Sequence, residues 1–373
     1  MKSGFLLFLL PLVVAYAALN YSSILRLFYP QSTPFTVGLK SPITTATTND
    51  SIVTPPAAKN PTFVLTKEEE MSFTASLVKP RSVAKIFLAI EQAEGAGARV
   101  RRSVGTARLR NFSPFLMLDH FFVGGKAGFP DHPHRGQETI TYLLHGQVDH
   151  EDFTGSAGTI DEGDLQFMTA GKGIMHAEMP RPQKDGSPVV GLQLWVDLPE
   201  KLKSVEPRYR DLRKEEIPIV KPNDRLEIRV ISGTSYGVDS VQDLAYTPVW
   251  MLDVTIQPGG SIQQPIPADY NTFAYVLEGE LLVGTEKAKQ YNNVVFNRDG
   301  DGIDISVPEE YEQAARFVII AGKVLDQKVV QYGPFVAVSQ EKIYEAVMDF
   351  QSNSNGFERG RNWESKIAKM IRN

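Results

Sequence analysis

Cysteine is absent from all 373 residues of the sequence. This absence excludes disulfide bonds, thiolate metal sites and cysteine nucleophiles, so any bound metal must have nitrogen and oxygen ligands. An excess of positive charge is also missing, because the formal net charge is −5 at pH 7. Direct binding to nucleic acid is therefore not expected, since such binding depends on many basic side chains.

Histidine is scarce and confined to one part of the chain. The six histidines are found at positions 120, 132, 134, 145, 150 and 176. Two pairs of potential ligands, His132 with His134 and His176 with Glu178, have the spacing i, i+2. Residues two apart on a β-strand point to the same face, so two strands could direct these side chains into one cavity. The spacing predicts a mononuclear metal site with His132, His134, His176 and Glu178 as ligands, which leaves coordination positions open on a six-coordinate metal.

An uninterrupted apolar run long enough to cross a membrane is missing as well. The apolar stretch at residues 5–19 contains Pro11 and is shorter than the roughly 20 residues that a span requires. It suits a signal peptide with a cleavage site at 15–17, and a tilted anchor is the alternative, so residues 1–30 are predicted to be a targeting or anchor segment. The Ser/Thr/Pro-rich stretch that follows predicts a disordered linker over residues 31–80.

Short apolar runs separated by glycine-rich breaks continue from residue 81 onward. This pattern has little helical periodicity and predicts an all-β fold of sandwich or barrel type. The candidate strands are at residues 84–89, 99–104, 139–144, 164–169 and 189–197.

An internal repeat divides this region into two domains. Residues 139–146 (Thr-Ile-Thr-Tyr-Leu-Leu-His-Gly) resemble residues 272–279 (Thr-Phe-Ala-Tyr-Val-Leu-Glu-Gly), and the same offset places Pro265 on His132. We therefore predict two tandem barrels, of which the second lacks the ligands. The first domain is assigned to residues 81–205 and the second to 206–373, with short C-terminal helices that include 341–350.

Seven sequence motifs between residues 84 and 360 resemble those of the pirin branch of the cupin superfamily. They are 101–105 (Arg-Arg-Ser-Val-Gly), 114–119 (Pro-Phe-Leu-Met-Leu-Asp), 132–136 (His-Pro-His-Arg-Gly), 163–171 (Gly-Asp-Leu-Gln-Phe-Met-Thr-Ala-Gly), 176–180 (His-Ala-Glu-Met-Pro), 332–336 (Tyr-Gly-Pro-Phe-Val) and 355–359 (Asn-Gly-Phe-Glu-Arg). The resemblance implies two cupin domains and one iron ion, Fe2+ or Fe3+, held by His132, His134, His176 and Glu178. Other divalent metals (Mn, Ni, Cu, Co, Zn) are alternatives.

The resemblance also implies two functions of different classes. One is a quercetin 2,3-dioxygenase that cleaves a flavonol with O2 and releases carbon monoxide, with Glu178 as the general base. The other is a non-enzymatic, iron-dependent, redox-sensing cofactor that contacts a transcription regulator. We expect a monomer, and a cytoplasmic or nuclear location by resemblance, which the apolar segment at residues 1–30 opposes.

The remaining candidates have weaker signals. Glu138 is close to the position of a generic cupin ligand, but pirins take their carboxylate from the His-x-Glu pair, so a structural role is expected. His120 could line the pocket, whereas His145 and His150 are expected to be solvated or salt-bridged. The residues expected to wall the cavity are Phe115, Met117, Phe121, Phe167, Met168 and Met175.

Five arginines lie close together in the sequence, at positions 99, 101, 102, 108 and 110. They are expected to form a strand face that pairs with local acidic residues or packs over aromatic rings. The alternative is a basic docking surface for an acidic partner.

Overall fold

The computed structural model describes residues 61–74, 79–125 and 127–369. The predicted targeting segment and residues 31–60 of the predicted linker lie outside this part of the chain. Within it, no helix combines the length and the apolar character that a membrane-spanning segment needs.

The first half of the described chain consists mainly of β-strands and the turns between them, and contains one short helix, α1, at Lys67–Thr74. Its strands are β1 Thr62–Val64, β2 Val83–Leu88, β3 Ile90–Glu94, β4 Ala98–Arg102, β5 Phe115–Val123, β6 Phe129–His134, β7 Gln137–His145, β8 Gln147–Asp152, β9 Ala157–Asp161, β10 Leu165–Thr169, β11 Ile174–Pro180 and β12 Val189–Asp197. All five strands predicted from apolar runs are present, each within two residues of its predicted ends.

The second half repeats this pattern and ends with a longer helix, α2, at Gln340–Ser352. Its strands are β13 Arg208–Leu212, β14 Ile219–Asn223, β15 Leu226–Ser232, β16 Thr234–Ser235, β17 Val238–Asp239, β18 Val249–Ile256, β19 Ser261–Pro265, β20 Tyr270–Glu278, β21 Glu280–Val283, β22 Glu286–Lys289, β23 Asn292–Phe296, β24 Gly302–Ser306, β25 Ala315–Lys323, β26 Val330–Tyr332 and β27 Phe335–Ala337. Short 3-10 turns occur at Glu200–Leu202, Lys214–Glu216 and Glu358–Asn362.

Two barrels are formed, each from a large and a small sheet, as the sequence predicts. The first has a seven-stranded sheet (β13-β10-β7-β12-β5-β4-β3) and a four-stranded sheet (β6-β11-β8-β9). The second has an eight-stranded sheet (β1-β14-β15-β18-β25-β20-β23-β2) and a four-stranded sheet (β19-β24-β21-β22). Each barrel has its own apolar core, with Phe121 and Val148 in the first and Val254 and Ile303 in the second.

The large sheets of the two barrels pack against each other through a third apolar core. It joins Phe115 and Leu194 of the first barrel to Phe273 and Ile320 of the second. The central strands of the seven-stranded sheet are therefore covered on both faces. This explains why β5 and β12 contain nearly continuous apolar runs instead of a strict alternation.

The two barrels exchange strands across the boundary predicted between residues 205 and 206. Strand β2, from the start of the first domain, pairs with β23 at the edge of the eight-stranded sheet. Strand β13, which begins just after that boundary, pairs with β10 in the seven-stranded sheet of the first barrel. Each domain thus completes a sheet of its neighbour.

The predicted disordered linker extends too far toward residue 80, because its last part is structured. Strand β1 adds in parallel to β14 at the edge of the eight-stranded sheet. Helix α1 begins with a reciprocal cap, in which the Glu69 backbone N–H donates to Thr66 Oγ1 at 3.3 Å and the Thr66 N–H donates to the Glu69 carboxylate at 2.8 Å. Edge pairing and capping offset the ordering cost that the Ser/Thr/Pro-rich composition suggests.

Helix α2 confirms the helix predicted at residues 341–350. The Lys342 N–H donates to the Ser339 hydroxyl at its beginning, and Asn353 ends it in the left-handed conformation with φ of 52°. Its buried residues are Ile343 and Ala346. This helix follows the second barrel in the chain and packs on the first barrel, as described below.

Candidate metal centre

The four predicted ligands lie on β6 and β11, which are antiparallel neighbours. In their register His132 is opposite His176, and His134 is opposite Ile174. Strand β6 is at the edge of its sheet, where Pro133 can be accommodated because its missing N–H is not needed for a second neighbour. The pairing is irregular between His176 and Glu178, as expected next to a functional site.

The three imidazoles converge on one point inside the first barrel. Their ligand atoms all lie within 4.8 Å of one another, and the ring centroids are 4.3 to 4.9 Å apart. His132 Nε2 and His176 Nε2 are separated by 2.9 Å. Two nitrogens at right angles around one metal, each about 2.1 Å from it, are about 3 Å apart, so this spacing fits two adjacent ligands.

Each imidazole is oriented by a polar group at its Nδ1 atom. His132 Nδ1 donates to the Pro130 carbonyl at 2.8 Å, which leaves the lone pair on Nε2. His176 Nδ1 lies 3.1 Å from the Tyr209 hydroxyl, and His134 Nδ1 lies 2.7 Å from the Gln137 amide. Histidine ligands commonly have this second contact, which fixes the ring orientation, and at His132 the carbonyl acceptor also fixes the tautomer.

Burial keeps all three rings neutral at physiological pH. It lowers the pKa of His132 to about 4 and that of His176 to about 3. The pKa of His134 is also well below its ordinary value, because of burial and the neighbouring imidazoles. Neutral imidazole is the form that binds metal. His134 Nε2 is buried and has no hydrogen-bond partner among the described residues, which a metal ion would satisfy.

Glu178 lies beside the histidines and is held in place from two sides. Its Oε2 is 3.9 Å from His176 Nε2. Thr141 Oγ1 donates to Glu178 Oε1 at 3.1 Å, and Gln193 Nε2 donates to Oε2 at 3.0 Å. Trp195 in turn donates to the Gln193 Oε1 atom at 3.0 Å. Three imidazole nitrogens and one carboxylate oxygen are a donor set that suits iron and other transition metals.

Comparison with known proteins adds independent information on the family. The model described as Pirin matches residues 97–196, and that of the Pirin C-terminal cupin domain matches residues 251–356. The chain is 45% identical over 294 residues to pirin from Homo sapiens, which covers 77% of this chain and 98% of the human protein. This chain belongs to the pirin family. It is also 45% identical over 299 residues to a pirin-like protein from Solanum lycopersicum, covering 79% and 100% of the two chains.

Solved structures share the pirin architecture. A quercetin 2,3-dioxygenase from Acinetobacter baumannii superposes with a TM-score of 0.68 at 28% identity, covering 74% of this chain and 98% of that one. The bacterial pirin YhhW from Escherichia coli, solved in complex with nickel(II), gives a TM-score of 0.50 at 20% identity, with 65% and 100% coverage. At that identity the second likeness shows the fold alone.

The other titratable candidates lie outside the centre of this pirin-family chain. Glu138 points to the opposite face of β7 and accepts the backbone N–H groups of Tyr246 and Thr247, so it has the structural role expected. His120 does not line the pocket but contacts the Tyr275 hydroxyl between the barrels, at 3.2 Å. His145 pairs with Glu162 at the surface, and His150 pairs with Asp211.

The predicted cavity wall is only partly correct. Met117 is the register partner of Trp195, whose ring contacts His134. Met168 is the register partner of Tyr209, whose ring contacts His176. Both methionines therefore lie on the same face as the centre. Phe121 belongs to the apolar core deeper in the same barrel. Phe115 and Phe167 lie in the core between the barrels. Phe167 alternates with Met168, whereas Phe115 is separated from Met117 by an irregularity in the pairing of β5 with β12. Met175 alternates with His176 and faces away.

The three arginines on β4 confirm the expectation of local pairing. Arg99 and Arg101 both contact Glu91, and the Arg101 guanidinium lies 4.1 Å from the centre of the Tyr291 ring. Arg102 is mostly buried and pairs with Asp119 and Glu94 at 2.6 Å each. The strand face is therefore largely occupied by intramolecular contacts.

Five residues around the centre were not identified from the sequence. Gln137, Thr141, Gln193, Trp195 and Tyr209 all contact a predicted ligand or its partner. Strand parity alone could have placed the first four on the barrel interior. Tyr209 lies on β13, whose pairing with the sheet of the first barrel has no local signal.

Proposed function

We propose that this pirin-family chain binds one iron ion through His132, His134, His176 and Glu178 and acts as a quercetin 2,3-dioxygenase. The observation that carries the proposal is the convergence of three neutral imidazoles, one partly and two fully buried, beside a fixed carboxylate. The likeness to a quercetin 2,3-dioxygenase at 28% identity supports the reaction class. Manganese, nickel, copper, cobalt or zinc could occupy the same donor set.

In the proposed reaction a flavonol and O2 give a depside and carbon monoxide. A bound iron would supply Lewis acidity and one-electron exchange with the organic substrate and O2. Glu178 would accept the proton of the flavonol 3-hydroxyl at a carboxylate oxygen. Its bonds from Thr141 and Gln193 hold that oxygen beside His176, and the surrounding Met117, Met168 and Trp195 side chains limit the access of water.

The proposal is tested by anaerobic purification with iron, metal analysis and a flavonol assay with detection of carbon monoxide. We expect wild-type protein to contain one iron per chain and to release one carbon monoxide per flavonol consumed. His176→Ala should lose both the metal and turnover. Glu178→Gln should retain much of the metal and lose turnover, because its amide cannot take the proton.

A control variant and two contradicting outcomes distinguish the metal-binding part of the proposal from the catalytic part. Glu162→Gln changes a surface carboxylate that pairs with His145 and should leave both measurements unchanged. Metal-replete Glu178→Gln that turns over flavonol at the wild-type rate would remove Glu178 from the catalytic role. Metal-loaded wild type without turnover of any flavonol would favour the alternative of an iron-dependent, redox-sensing transcription cofactor.

A further inference from the structure

The last part of the chain returns to the first barrel and packs against the strands that carry the metal ligands. The Arg135 N–H donates to the Pro334 carbonyl at 3.2 Å, and the Val336 N–H donates to the Arg135 carbonyl at 3.0 Å. Arg135 directly follows His134 in the sequence. Residues 334–365, here named the C-terminal strap, are thus joined by backbone hydrogen bonds to the turn after β6.

The side chain of Arg135 links both ligand-bearing strands to this strap. Its guanidinium donates to the Lys172 carbonyl at 2.6 Å, to Asp349 Oδ2 at 2.8 Å and to the Asn355 carbonyl at 2.5 Å. Lys172 lies in the turn that leads into β11 and His176, and Asp349 lies on α2. A nearly buried guanidinium with three acceptors fixes the relative position of these three segments.

Gln137 extends the contact to a ligand itself. Its amide nitrogen lies 2.7 Å from His134 Nδ1 and 3.4 Å from the carbonyl oxygen of Pro334 in the strap. His134 Nε2 has no other partner among the described residues. The orientation of the His134 ring therefore depends on an amide that the strap holds.

The strap packs tightly against these turns. A Cβ atom on Gly136 would lie 2.1 Å from the Val336 carbonyl oxygen, and one on Gly173 would lie 2.8 Å from the Phe357 ring. Both glycines also have positive φ, 76° and 146°, which disfavours any larger residue. At the other end of β6, the Ser365 hydroxyl donates to the Asp131 carboxylate next to His132.

We infer that the C-terminal strap is part of the metal centre, with Arg135, Gln137 and Asp349 as positioning residues for His134. This inference rests on the proposed metal binding at His132, His134 and His176. Groups that orient metal ligands from outside the coordination sphere commonly change affinity about 10- to 100-fold when they are replaced. The C-terminal end of the second domain thereby orients a ligand of the metal centre in the first domain.

The test measures Co2+ binding to metal-free protein by chelator competition and visible absorption. Asp349→Asn should weaken Co2+ binding about tenfold or more and change the absorption bands of the bound ion, while Asp349→Glu should partly restore both. Glu345→Gln is the matched control, because it breaks an exposed pair with Lys342 on the same helix. Gln137→Met leaves the α2 contacts in place, removes the amide beside His134 and should weaken binding similarly.

The outcomes distinguish this inference from the proposed function. Wild-type protein that binds no Co2+ would reject the metal site itself. Wild-type affinity and spectrum in folded Asp349→Asn and Gln137→Met would overturn the role of the strap while leaving the metal site intact. If Asp349→Asn does not fold, as judged by circular dichroism of the metal-free protein, Gln137→Met decides the question alone.

Discussion

At the scale of single residues, two of the candidate ligands are oriented by neighbours in the sequence and the third by a distant residue. A backbone carbonyl fixes the tautomer of His132, whereas side chains contact the Nδ1 atoms of His134 and His176. The Tyr209 hydroxyl comes from β13, the strand that follows the crossing between the two domains. Its contact therefore couples the proposed centre to that crossing.

Replacing Tyr209 tests this orientation. Tyr209→Phe keeps the ring, which stacks on His150 at 6.0 Å, and removes the hydroxyl that contacts His176. We expect metal affinity to fall about tenfold, measured by chelator competition on otherwise folded protein. Tyr344→Phe, at an exposed position on α2, is the control and should change nothing. Equal affinities in the two variants would contradict the proposed role.

At the scale of elements, the two faces of β7 have separate tasks. Gln137 and Thr141 contact the candidate ligands, whereas Glu138 and Tyr142 point to the second barrel. The Tyr142 hydroxyl donates to Asp253 Oδ2 at 2.8 Å. Glu138 accepts two backbone N–H groups from the 240–247 loop and the Thr169 hydroxyl. A residue near the position of a generic cupin ligand thus joins the two domains.

Replacing Glu138 should affect stability and leave metal content unchanged. Glu138→Ala leaves one buried and one partly buried N–H group unsatisfied, so we expect the free energy of unfolding to fall by about 2–4 kcal/mol. Urea unfolding checks the stability and elemental analysis the metal. Glu162→Ala, an exposed carboxylate, should change stability by less than about 0.5 kcal/mol. Loss of metal from stable Glu138→Ala protein would instead indicate a ligand.

At the scale of the whole molecule, the two barrels share a large apolar core. Strands β2 and β13 each complete a sheet of the other domain, and the C-terminal strap returns to the first barrel. His120 lies within the interface, where burial and the nearby charges of Arg101 and Arg316 lower its pKa to about 3. Protonation of His120 at low pH therefore weakens the contact between the barrels.

The effect of pH on metal-free protein follows from that pKa. Unfolded His120 binds a proton near its ordinary pKa of 6.5, whereas folded His120 stays neutral down to about pH 3. Its contribution to stability is present above pH 6.5 and is lost as the pH falls toward 3. His120→Gln, which stays neutral, should show a shallower fall of the thermal midpoint over this range than wild type. Parallel profiles for the two proteins would contradict the prediction.

The amino-acid sequence by itself determines the all-β fold, the two barrels and the candidate ligand set. Strand alternation fixes which side chains share a face, and the i, i+2 spacing of His132/His134 and His176/Glu178 depends only on that local rule. The repeat at residues 139–146 and 272–279 is confirmed by β7 and β20, each with a buried central tyrosine. Helix α2 was likewise predictable, because its apolar stripe and Ser339 cap are local signals.

Only the tertiary structure decides how these parts are joined. The destination of β2, β13 and the C-terminal strap depends on pairings between residues far apart in the chain, for which local composition has no signal. For the same reason Phe115 and Phe167 were misplaced, since an apolar side chain fits the barrel interior and the interface equally well. The histidine spacing identifies the candidate ligands, whereas Arg135, Asp349 and Tyr209 acquire their contacts around them only when the chain folds.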